Sequence, residues 1–81
     1  SDVYAMGVLL FRMLSGVRPF DGETHHDVIH HHLHTPAPAL DRMVQGLPPR
    51  VVELVKAMLQ KRPSDRPQSA AEVVERLRKA H

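Results

Sequence analysis

The run from Val3 to Leu14 constrains this chain more than any other feature, because every residue in it except Gly7 and Arg12 is apolar. A helix apolar on all sides has no face for water and is normally buried all round. At about a dozen residues the run is too short to cross a bilayer, which takes about 20. It is therefore expected to be the central helix of a globular core. Ser1 or Asp2 can cap its first turn, and Gly16 supplies a left-handed stop. The chain has only 81 residues, and at that size about 60–65% of the unfolded surface can be buried. Full enclosure of such a helix is hard to reach with so little chain.

Downstream, Pro19 and the Asp21-Gly22 pair are turn chemistry, with Phe20 as the one large apolar anchor of that loop. Thr24 and Asp27 resemble a capping box with Asp in place of Glu, opening a helix that runs to about His34 with Val28, Ile29 and Leu33 inward. Residues 35–46 carry Pro36, Pro38 and Gly46 and are expected to cross the surface as an extended connection that Leu40 and Met43 could pin. Pro48 and Pro49 suit a helix's first turn. Leu47, Val51, Leu54, Val55, Met58 and Leu59 then recur at helical spacing until Pro63 forbids continuation. Residues 62–67 form a rigid corner. Ser69 with Glu72 is a full capping box for a last helix that turns Val73, Val74 and Leu77 inward. No segment alternates like a strand. The expected fold is all-α, with four helices around the apolar central one.

Composition excludes several functions. Eleven Lys and Arg against nine Asp and Glu give a net charge of +2, too small and too scattered for a nucleic-acid surface. With no cysteine there is neither a thiolate metal site nor a thiol nucleophile, which leans towards a reducing, cytoplasmic setting. No signal peptide or membrane segment is visible, and a start at Ser1 directly on a helix cap reads as a piece of a longer protein. The histidines at 25, 26, 30, 31, 32 and 34 leave three readings open. His26 with His30, and His30 with His34, have the i, i+4 spacing at which two imidazoles can share a zinc ion, although a closed site wants four ligands. Crowded imidazoles could also repel below about pH 6.5. The plainer reading is a solvent-facing helix with His32 alone near the apolar face, and no metal site is expected.

These residues resemble a known family. DVYAMGVLLFRMLSGVRPF is similar to the central helix and following loop in the large lobe of eukaryotic-type protein kinases, and LVKAMLQKRPSDRPQSAAEVVERL to that lobe's closing helices. HLHTPAPAL and SAAEVVERL are similar to bacterial serine/threonine kinases. The resemblance implies that residues 1–81 are the C-terminal portion of a kinase catalytic domain, whose parent moves the γ-phosphoryl of ATP to protein serine or threonine. It implies roles residue by residue. Asp2 would anchor the catalytic loop, Leu9 and Met13 would support the catalytic spine, and Arg66 would pair with a glutamate of the activation segment that this chain lacks. Arg66 would then turn to solvent or to Asp65 or another acid. His26, His30, His31 and His34 would face a protein substrate or a second kinase molecule on the helix of residues 24–34. Arg12 stands where kinases that select basic peptides often carry a glutamate. The glycine-rich loop, strand lysine, catalytic aspartate and magnesium-holding Asp-Asn pair of phosphoryl transfer are missing. The chain alone is thus a scaffold, and ATP and Mg2+ belong to the parent. The alternative is a non-catalytic helical module from a truncated kinase or pseudokinase. Either way, the first helix should expose a contiguous apolar patch when only these residues surround it.

Overall fold

The computed structural model describes residues 2–20 and 25–79, except for the side chains of Asp2 and His25. The described residues form five α-helices and one 3₁₀ turn: α1 (Asp2–Ser15), α2 (His25–His34), α3 (Leu40–Met43), α4 (Pro49–Met58), the turn Pro63–Asp65, and α5 (Ala70–Arg78). The expected capping by Ser1 and Thr24 and the Asp21-Gly22 turn lie outside them.

Hydrophobic burial is concentrated where α1 crosses α4. Val3, Gly7 and Phe11, one turn apart, form the buried side of α1, and Leu54, Val55, Met58 and Leu59 meet them from α4 and its C-cap. Two clusters result: Val3, Leu54, Met58 and Val73 at one end, and Phe11, Leu40, Val55 and Leu59 at the other. Gly7 lets the helices approach. A Cβ built there would lie 2.8 Å from Met58 Cβ and 3.2 Å from Leu59 Cδ2.

The opposite side of α1 is uncovered. Leu9 and Met13 are 57% and 70% exposed, with Ala5 exposed one turn before them. The expectation of burial all round is corrected to burial on one side, because α3, α4 and α5 all pack against the Val3–Phe11 side. The apolar patch expected of an incompletely covered helix is there. Gly16 ends α1 with φ +81° and its amide bonds the Arg12 carbonyl at 2.8 Å. Phe20 is buried, as an anchor should be.

Four further expectations are corrected. Residues 35–46 are not wholly extended: α3 adds a one-turn helix, in which Leu40 is buried while Met43 faces out. The α4 helix stops at Met58 rather than running to Pro63. Proline forces the residue before it out of the helical region, and Arg62 is accordingly extended (φ −84°, ψ 127°), so the chain leaves the helix before Pro63. In α2, Ile29 and Leu33 are exposed while His31 and His32 are half-buried; polar bonds to the core, described below, set that rotation. In α5 only Val73 reaches the core, and Val74 and Leu77 are exposed because no described element lies on their side.

The capping box at α5 forms in a shifted version. Ser69 Oγ accepts from the Glu72 amide at 3.1 Å, while Glu72 Oε1 accepts from the Gln68 amide at 3.3 Å rather than from that of Ser69. Glu72 Oε2 also takes Arg76 Nη2 at 2.8 Å.

Since an added methyl at Gly7 would push backbone against backbone through Met58, Gly7→Ala should destabilise the kinase domain containing this chain by about 1–3 kcal/mol. A fall in the denaturant midpoint with unchanged slope checks this; Gly16→Ala, strained but unclashed, should cost less.

Candidate functional site

The candidate site residues fall in three places: the N-terminal end and open face of α1, a polar cluster where α2 meets the loop after α4, and the outer face of α2. Asp2 opens α1, but its side chain lies outside the described residues. Leu9 and Met13 stand one turn apart on the open face, with Arg12 exposed beside them. Nothing in the described chain touches that face closely enough to bury it.

The polar cluster is organised by Arg66. Its Nε donates to the Gln60 carbonyl at 2.7 Å and its Nη2 to the Lys61 carbonyl at 3.1 Å. Both carbonyls lie in the loop just after α4. The guanidinium carbon lies 4.6 Å from the centre of the Tyr4 ring, a cation–π distance. Arg66 is thus half-buried and held by carbonyl dipoles and an aromatic face rather than turned fully to solvent.

Tyr4 carries the cluster onward to α2. Its hydroxyl lies 2.6 Å from His32 Nδ1, and the His32 ring meets Tyr4 and Phe20 edge to face at 5.5 Å and 4.9 Å between centroids. Lys61 Nζ sits 4.1 Å above the Phe20 ring and donates to the His31 carbonyl at 3.1 Å. Burial raises the Tyr4 phenol above its usual range, with Arg66 opposing. Burial lowers His32, and Lys61 and His31 lower it further. Lys61 is lowered by burial and then by Arg66. The neutral His32 with its proton on Nε2 can accept the Tyr4 hydroxyl proton at Nδ1.

On the outer face of α2, His26, Ile29, His30, Leu33 and His34 are exposed, and the rings of His30 and His34 lie 4.8 Å apart. His31 leaves this set: its Nδ1 bonds Thr35 Oγ1 at 2.9 Å. Among the described residues no three His, Asp or Glu side chains gather as metal ligands would, and no helix is long and apolar enough to cross a membrane. A cleft of about 420 Å³ lies between α1, α3 and α4, floored by Phe11, Leu40 and Leu59 and edged by Asp41, Glu53 and Lys56. None of the residues expected to be functional lines it.

Sequence reading found Arg66 but missed its partners. Tyr4 and His32 are 28 positions apart, and only two weak signals pointed to them: a lone tyrosine within an apolar helix, and one histidine out of step with the rest.

This arrangement belongs to a known architecture. The sequence profile described as the protein kinase domain matches residues 1–77, and the chain belongs to the protein kinase domain family. It is similar to serine/threonine-protein kinase pkn2 of Myxococcus xanthus, 41% identical over 83 residues that span all of this chain and 10% of that protein. It is also similar to PknL of Mycobacterium tuberculosis, at 35% identity over 82% of the chain and 16% of PknL. PrkC of Bacillus subtilis is 33% identical over 90% of the chain and 11% of its own length. The chain is thus a segment of a protein kinase domain, and it spans only about a tenth to a sixth of the length of these relatives.

Removing the Arg66 guanidinium would leave two carbonyls and the Tyr4 ring without their cation, so Arg66→Ala should cost about 1–3 kcal/mol. Arg66→Lys should recover only part, because an ammonium cannot span two carbonyls as a planar fork does. Urea unfolding of the kinase domain carrying each variant checks both values.

Proposed function

We propose that this chain is the C-terminal scaffold of a catalytic domain that transfers the γ-phosphoryl group of ATP to serine or threonine hydroxyls of proteins. One observation carries the reading. A helix otherwise built for burial turns Leu9 and Met13 outward, which is the face that the rest of a kinase lobe would cover. In this reading the two side chains support the catalytic spine, Asp2 anchors the catalytic loop, and Arg66 meets the glutamate that closes the activation segment. The Tyr4 face and the Gln60 and Lys61 carbonyls fix the direction of the guanidinium, so an acidic partner would find it already oriented.

The residues of this chain do not fit ATP or Mg2+. No glycine-rich phosphate loop occurs in the sequence, and the described carboxylates do not converge. Both are assigned to the remainder of the domain, which is also the first partner of this chain, and the domain is placed in the cytoplasm, where ATP is supplied. Arg12 on the exposed side of α1 argues against selection of basic peptides. A second reading, a non-catalytic interaction module, is favoured by Ile29 and Leu33 standing 45% and 62% exposed on α2 among His26, His30 and His34. That face would receive a protein substrate or a second kinase molecule.

The paired change Leu9→Asp and Met13→Asp separates the roles. In the chain by itself it should lower hydrophobic-dye binding and self-association, since it removes an exposed apolar patch. In the whole kinase it should abolish phosphate transfer to a protein substrate, because it buries two charges. Undiminished transfer would refute the scaffold reading. Transfer absent from the unaltered parent, with partner binding retained and lost on Leu33→Asp, would establish the second.

A further inference from the structure

The fastening of α2 differs in kind from that of the other helices. No α2 residue belongs to the buried apolar clusters, and the helix makes no extensive contact with any other helix. Its described ties to the core are the Tyr4–His32 hydrogen bond, the edge contacts of His32 with Tyr4 and Phe20, and the Lys61 bond to the His31 carbonyl. All of them run through two adjacent residues. With no α2 side chain in the apolar clusters, these contacts bear directly on how firmly α2 is held.

We propose that the His32–Tyr4 contact is a proton-sensitive latch that holds α2 on the core while the imidazole is neutral and releases it when the imidazole is protonated. Neutral His32 offers the Nδ1 lone pair to the Tyr4 hydroxyl at 2.6 Å. Protonation removes that lone pair, and both ring nitrogens become donors. The tyrosine oxygen can still accept, but the new cation then stands in a group already holding two. Lys61 lies over Phe20, the ring that His32 touches, and Arg66 lies over Tyr4, its hydrogen-bond partner. On α2 itself the neighbour is His31, whose own protonation would add to the repulsion.

The direction follows from linkage. The attached state holds the His32 pKa below the ordinary 6.5, so a released α2 binds the proton more readily than an attached one. Attachment is complete above about pH 6.5 and weakens as pH falls through the lowered value. The latch rests on the geometry of this cluster and stands apart from any docking role of the outer face.

Hydrogen exchange on the kinase domain containing this chain, measured at pH 7.5 and 5.5 and corrected for intrinsic rates, tests it. Peptides from α2 should lose protection several-fold at the lower pH while those from α4 keep theirs. His32→Phe, which keeps the ring contacts and cannot titrate, should abolish the difference, and Tyr4→Phe should lower α2 protection at both pH values. Equal α2 protection at the two pH values in the unaltered domain overturns the latch. So does an unchanged pH dependence in His32→Phe, which would assign the effect to groups other than His32. Should His32→Phe fail to fold, a ring titration of His32 by NMR decides: a midpoint below 6.5 supports the latch and one at or above it overturns it.

Discussion

The structure depends on the close approach of α1 and α4 at Gly7. Because this position has no Cβ, the Met58 Cβ can occupy the space where one would stand, and the two helices bring Val3 and Phe11 against Leu54, Val55 and Leu59 at either end of the crossing. Interiors are packed as densely as organic crystals, so such a crossing tolerates little change in volume. Everything else is placed relative to it. Val73 brings α5 to the Val3 end, and Leu40 brings α3 to the Phe11 end. The same crossing decides which side of α1 is left over. With three helices on one side, Leu9 and Met13 are turned outward on the other.

A second set of constraints is polar, and it follows from a backbone event. Pro63 holds Arg62 in extended geometry, and the loop after α4 presents the Gln60 and Lys61 carbonyls. Arg66 answers with a two-toothed bond, and its position over Tyr4 links that corner to α1. Tyr4 in turn receives His32 from α2. A single chain of contacts therefore joins the loop after α4, the first turns of α1 and the second half of α2. The cations in it, Lys61 and Arg66, lie over the Phe20 and Tyr4 rings, contacts that suit half-buried charges. For a kinase segment the consequence is a rigid corner for Arg66 and a more lightly held α2.

Much of this was legible in the sequence, and the limits are physical. Gly16, Pro48, Pro49 and the Ser69–Glu72 pair fix local backbone geometry, so the end of α1 and the starts of α4 and α5 could be read within a residue or two. The family resemblance rested on the same positions together with the apolar run, and it held. Rotation of a helix about its axis was less legible. In α2 the apolar residues Val28, Ile29 and Leu33 suggested one inner face, yet Tyr4, Phe20 and Lys61 engage His31 and His32 and turn Ile29 and Leu33 out. In α5, Val74 and Leu77 carry the mark of a buried face without a neighbour to bury them.

The sequence by itself determined the all-helical class, the punctuation of the helices, the kinase family and the mismatch between an all-apolar helix and a short chain. Each of these depends on local stereochemistry or on the total of apolar surface, which a linear sequence records directly. The tertiary structure alone decided which side of α1 is covered, where the Arg66 guanidinium goes, and that His32 of α2 turns toward Tyr4 and Phe20. Those outcomes depend on contacts between residues as far apart as Tyr4 and His32, 28 positions along the chain, and sequence separation carries no information about them.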